Sequence, residues 1–352
     1  MNPILSKNET DSMRGVAILF IMLHNLLHWK VNTIENEYTF VLERSQLFME
    51  QLKECNGSLW QDICSFLGWY GVAVFLFLSG YGLARKYGFT QSPNFSPRHF
   101  VWRHIKSVFL LMILPYIPFA MMQVYYNDAW LQVFLQTTLL ANIFNPNHID
   151  PGVYWFFGLI IQFYLIYALL NHPKIARQWK GALLIILNIL ALFWLMLLSN
   201  NTSILSYLRH NFIGWLLPFS MGIWFAQKNV WHRAFNAHWK NALWIVIGGG
   251  LVTLSNLNYY AWIISPLFAI MAAIGLTKII TLSRALNNCL IWTGALSAFL
   301  FAIHPAIRFL CLKVCWDEMT QPPYILGYLF ISFVVAFIYR KIHHLLFNRW
   351  LS

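Results

Sequence analysis

Residues 14–25 read Arg14-Gly-Val-Ala-Ile-Leu-Phe-Ile-Met-Leu-His24-Asn25, an apolar run with a cation at its start and an imidazole near its end. With its flanks the run covers 13–30, close to the ~20 residues a helix needs to cross the hydrocarbon of a bilayer. An ionisable group on a spanning helix is costly to keep there and marks function by default. At 1.5 Å of rise per residue, His24 lies roughly 15 Å along the helix from Arg14. A neutral imidazole is a natural general base for a hydroxyl, so His24 is the leading catalytic candidate.

The rest of the chain repeats the apolar theme. Of its 352 residues 59% are hydrophobic, 18% aromatic and only 10% charged, and the mean hydropathy is +0.56. A soluble domain of this length does not need that much apolar surface. Apolar spans are predicted at 13–30, 68–86, 107–126, 153–171, 181–199, 211–227, 241–256, 259–277, 289–310 and 324–342. The expected fold is all-α: a single membrane-embedded domain over 1–352, a bundle of about ten transmembrane helices. The first span is too long for the h-region of a cleaved signal and is expected to stay as an anchor.

Charge placement supports that layout. With the N-terminus in the cytoplasm, every Lys and Arg except Lys30, Arg44, Lys53, Arg209, Arg308 and Lys313 falls on the inside. Among the acids, only Glu9 and Asp11 do. Such a Lys/Arg bias orients membrane proteins and places both termini in the cytoplasm. The net charge of +12 then follows from topology and anionic lipid, with no nucleic-acid partner. Residues 129–144 are apolar but short and carry Gln, Thr and Asn, so they are predicted to lie as an interfacial or re-entrant helix on the outside.

The largest outside loop, 31–67, is acidic. Phe40, Val41, Leu47, Phe48 and Leu52 predict an amphipathic helix there, either a solvated cap or a lid over a polar substrate. Cys55, Cys64, Cys311 and Cys315 fall on the outer side, where one or two disulfides or none are open alternatives. No Cys-x-x-Cys or His-Glu-x-x-His occurs, and His28, one turn beyond His24, adds only a second histidine, so no metal is expected.

No predicted span carries Asp or Glu, which argues against a proton-coupled transporter. A transporter or flippase for a polar lipid or glycan is the alternative function. It would show internal repeats, and none is evident. His304, before Pro305, is the other histidine deep in a span and is expected to face the same cavity as His24. Between Asp62 and Asp128 no acid occurs, and Arg98, Arg103 and Lys106 cluster there as anion clamps.

Several segments together resemble the acyltransferase 3 family of integral membrane acyltransferases, which includes glycan O-acetylases. Arg14 through His24 is similar to that family's first-helix arginine–histidine signature. Gly71-Val-Ala-Val-Phe-Leu-Phe-Leu-Ser79-Gly80-Tyr81 is similar to its second-helix run. Arg103-His-Ile-Lys106 resembles its cytoplasmic Arg-x-x-Arg pair, with lysine in place of the second arginine. Tyr154-Trp155-Phe156-Phe157, and Ser297 through His304-Pro305, resemble two later segments.

The resemblance implies transfer of an acyl group, acetyl above all, from cytoplasmic acyl-CoA. The acceptor would be a hydroxyl of an envelope or exported glycan, at a bacterial cytoplasmic membrane. His24, Arg14 and His304 would be catalytic, with His24 as base or transient acyl acceptor. Arg98, Arg103, Lys106, Ser79 and Gly80 would bind the donor, and Tyr154 and Trp155 the acceptor. The family has ten residues between arginine and histidine, and this chain has nine. An offset of ten positions leaves the two side chains about 80° apart around the helix, which argues against a direct Arg14–His24 contact. Nothing in the sequence bears on oligomeric state.

Overall fold

The computed structural model describes residues 4–89, 95–199, 201–227 and 229–351. Among them there is no strand. The helices are α1 (Lys7–Leu27), α2 (Leu42–Glu54), α3 (Leu59–Leu67), α4 (Tyr70–Tyr87), α5 (Pro97–Asn127), α6 (Trp130–Thr137), α7 (Ala141–Phe144), α8 (Trp155–Leu170), α9 (Arg177–Leu197), α10 (Thr202–Arg209), α11 (Leu216–Gln227), α12 (His238–Ser255), α13 (Tyr259–Ile280), α14 (Arg284–Val314) and α15 (Pro322–Leu351).

A helix forms in each of the ten predicted spans. By length and apolarity, six of the described helices can cross a membrane: α5, α8 with its preceding turn, α9, α13, α14 and α15. The pair α3 and α4, bent by 46°, adds a seventh if it is one span. The others fall short for local reasons. α1 and α12 open on polar turns, and α11 is short. These helices make the chain an integral membrane protein. The 129–144 stretch forms α6 and α7, of eight and four residues, too short to cross.

Small residues set how the bundle closes. A Cβ on Gly15 would strike the Leu290 carbonyl and one on Gly294 the Asp11 carbonyl, so α1 and α14 touch backbone to backbone. Gly80 and Gly222 play the same part between α4 and α11, against the carbonyls of Phe219 and Phe77. Such packing fixes α1 rigidly among its neighbours.

α1 starts with a capping box: Ser6 Oγ accepts from the Glu9 amide, and Glu9 accepts from the Ser6 amide at 2.7 Å. The two acids predicted on the basic side are both paired, Glu9 with Lys278 and Asp11 with Arg14, each at 2.7 Å. α5 has 31 residues, about 46 Å at 1.5 Å each, longer than a bilayer core of about 30 Å. The helix therefore begins a turn or more before the predicted span, and Arg98, Arg103 and Lys106 ride on its extension. All five cysteines are free thiols.

Candidate active site

α1 ends at Leu27, and the chain turns into the acidic loop. The loop does not stand out in solvent. Thr33 donates to Asp62 at 2.7 Å, and the Ser65 hydroxyl donates to the Thr33 carbonyl at 2.7 Å, which ties the loop to α3. Trp262 Nε1 donates to the Asn36 carbonyl at 2.8 Å, Arg209 Nε to the Glu37 carbonyl at 2.9 Å and Arg44 to the Glu35 carbonyl at 2.9 Å. These bonds draw the backbone inward and bury the side chains of Glu35 and Glu37.

The α3–α4 corner closes on the same point. Gly68 lies so close to α1 that an added Cβ would fall 2.6 Å from His24 Cβ. This contact lets the Ser65 carbonyl, among the last carbonyls of α3 that lack an intrahelical partner, reach His24 Nδ1 at 2.6 Å. A carbonyl only accepts, so Nδ1 carries the proton and Nε2 is left with its lone pair.

The carboxylates stand beside that imidazole. Ligating atoms of His24, Glu35 and Glu37 all lie within 4.8 Å of one another. His28 Nδ1 donates to Glu35 at 2.6 Å. Burial alone would raise the Glu35 carboxyl, but the positive charge of His24 and His28 when protonated, with the hydrogen bond from His28, outweighs it and brings it down to about 2. Glu37 goes the other way: burial first, then the charge of Glu35, push it up to about 8 against the pull of Arg209. One carboxylate is thus fixed as an anion while its neighbour holds a proton at neutral pH, a separation typical of acid–base pairs. The same three groups have the donor set of a small-cation site. Glu35 already accepts a hydrogen bond from His28, however, and Glu37 carries no charge while protonated.

Arg209 anchors this arrangement. It is 1% exposed, donates to the Glu37 and Gly214 carbonyls at 2.9 Å each, and lies 4.2 to 5.4 Å from the ring centres of Trp215, Trp262 and Trp69. Burial drives its guanidinium down to about 10, so it remains a cation at neutral pH. A small cavity of about 30 Å³ opens between His24, Glu37, Tyr38, Trp69, Trp155 and Phe301. That volume admits a water molecule or one hydroxyl group.

The sequence-predicted residues divide in two. Trp155 lines the cavity with His24. Tyr154 is fully buried, and its hydroxyl donates to the Ala302 carbonyl at 2.7 Å. His304 is not among the cavity's lining. Its Nδ1 faces the Leu300 and Phe301 carbonyls, its Nε2 has no partner, and its ring sits 5.8 Å from that of Phe301, which does line the cavity. Arg14 lies ten residues before His24 on α1, where it pairs with Asp11 at 2.7 Å. Ser79 donates to the Phe75 carbonyl at 2.8 Å, and Gly80 serves the α4–α11 contact. Arg98 borders an open cleft of about 750 Å³ with His99, Trp102, Leu165 and His172, while Arg103 and Lys106 follow on the next turns of α5.

Sequence reasoning placed His24 where no carboxylate competes, because no span contains one. The structure corrects this: Glu35 and Glu37 reach it from the loop. Ser65, Tyr38 and Arg209 were missed as well. The available signal was the density of acids in 31–67 and a cation, Arg209, on the acidic side.

The described residues thus form an all-helical membrane bundle with a buried imidazole–carboxylate cluster near one end of α1. The family model described as "Acyltransferase domain", acyltransferase 3, matches residues 8–341. The chain therefore belongs to the acyltransferase 3 family. No curated protein and no solved structure gives a significant match.

Proposed function

We propose that this membrane acyltransferase is an O-acyltransferase. It moves an acyl group, acetyl above all, from cytoplasmic acyl-CoA to a hydroxyl of an envelope or exported glycan at a bacterial cytoplasmic membrane. The ten-span layout with both termini inside, drawn from the charge bias, belongs to the same reading. The observation that carries it is the His24 Nδ1–Ser65 carbonyl bond, which leaves Nε2 as a base among Glu35, Glu37 and the 30 Å³ cavity.

The chemistry follows from the protonation states. The acceptor hydroxyl gives its proton to His24 Nε2 as its oxygen bonds to the thioester carbonyl carbon. The carbon–sulfur bond then breaks, and the thiolate takes a proton from Glu37. The proton on His24 passes to Glu37 and restores both groups. The net change is alcohol plus thioester to ester plus thiol. Glu35, held as an anion by His28, favours the imidazolium formed midway. Arg98, Arg103 and Lys106 bind the donor's phosphates at the opposite end.

Mass spectrometry of envelope glycans from cells with and without this chain tests the reading. An added acyl mass that depends on the chain supports it. Identical glycans, together with altered export of a lipid or glycan, would favour a transporter.

A further inference from the structure

A second cavity lies at the end of the bundle where His24 sits, between the last turn of α5 and the segment 129–150. It measures about 530 Å³, within the ~300–1,000 Å³ typical of small-ligand sites. Its chemistry differs from that of the apolar clefts elsewhere. Five side-chain amides line it: Gln123, Asn127, Gln132, Asn145 and Asn147. His148 and Asp150 complete the polar wall, and no Lys or Arg lines it.

Two of the amides are structural. Gln123 donates to the Asp150 carbonyl at 2.9 Å and accepts from Tyr116, and Asn145 donates to Gln132 Oε1 at 2.9 Å. The remaining capacity is unused. Gln132 is 7% exposed, and its Nε2 has no partner. Among the described residues, the side chains of Asn127, Asn147 and His148 make no hydrogen bond. The Gln132 donor lies below the cavity surface, so the side-chain groups open to a ligand are those of Asn127, Asn147, His148 and Asp150, all exposed.

We propose that this cleft is a sugar-binding subsite that holds a neutral saccharide unit of the acceptor chain. Side-chain amides offer donors and acceptors together, which matches vicinal hydroxyls, and the Asp150 carboxylate accepts from such a pair. A phosphate or sulfate would meet no cation there and would face Asp150. The position also fits. Asp150 lines the cleft, while Val153 and Trp155 of the same segment line the His24 cavity. At no more than about 3.6 Å per residue, the Cα atoms of Asp150 and Val153 lie within about 11 Å. The cleft and the His24 cavity thus share one short segment of wall, which puts the cleft on the His24 side of the molecule. This proposal rests on the glycan-acceptor reading.

The test uses the full chain purified in detergent, acetyl-CoA, and glucose, galactose and N-acetylglucosamine as mono- and tetrasaccharides. The expected result is a higher kcat/KM for a tetrasaccharide than for its monosaccharide. Asn147→Trp, which fills the cleft from an exposed position, and Gln132→Leu should each cut that ratio about tenfold, toward one, through KM. An unchanged ratio in Asn147→Trp with acylation intact overturns the subsite and leaves the glycan reading standing. If the wild-type protein acylates none of these sugars while still hydrolysing acetyl-CoA, the glycan reading and the subsite both fall.

Discussion

Around His24 the free space is about 30 Å³, and His24, Glu35 and the Glu37 backbone are tied down by bonds of 2.6 to 2.9 Å. Around Arg98 the cleft is about 750 Å³, and Arg98, His99 and Arg103 are exposed. The difference matches two tasks. Proton transfer needs groups fixed in reach of one another before the substrate arrives. Holding a flexible, multiply charged donor needs only a basic surface, and exposed cations give steering and modest affinity. The chain spends its hydrogen bonds where chemistry is proposed and its net charge where binding is.

Substitutions at the two ends should differ in size. His24→Ala removes the base outright. Acyl transfer should fall about 10²–10⁴-fold, with membrane level and thermal stability kept. Near-normal turnover would erase the contrast between the ends. Arg209→Lys keeps the charge but loses the fork that reaches both the Glu37 and Gly214 carbonyls. Stability should drop by about 1–3 kcal/mol, read as a lower Tm in detergent. A Tm like wild type would mean that the loop is held without it. Arg103→Gln, at the open end, should weaken acyl-CoA binding only about two- to fivefold, and less in high salt. A hundredfold loss there would show that the donor site is as tightly built as the other.

The bundle was legible because the apolar spans and the inside–outside alternation of Lys and Arg follow from the bilayer alone, and His24 stood out as an ionisable group within a span. Arg98, Arg103 and Lys106 were legible as a cation cluster without acids. Glu35 and Glu37 were not, for a physical reason. They sit in a loop without helical or strand periodicity, and what buries them is a set of bonds from Arg44, Arg209 and Trp262, up to 226 residues away in sequence. The solvated-cap reading fits α2, where Glu43, Glu50 and Glu54 are exposed and Phe48 packs inward, but not Glu35 and Glu37, which are 5% and 8% exposed. Gly80 is legible for a second reason. Its place in a family-like motif drew attention as a donor contact, while the Phe219 carbonyl against it shows a packing role.

The central claim is that the loop carboxylates complete the His24 site, with Glu37 as the proton-bearing member. The pH dependence of kcat/KM, measured side by side for the wild-type protein and Glu37→Gln, tests it most directly. Glu37 holds its proton up to about pH 8 and loses it above. Wild-type activity should therefore fall as pH rises through about 8. Glu37→Gln should be slower throughout, by about 10²-fold, and should lack that alkaline limb. A variant with the wild-type rate and the same decline near pH 8 would show that Glu37 takes no part in the chemistry.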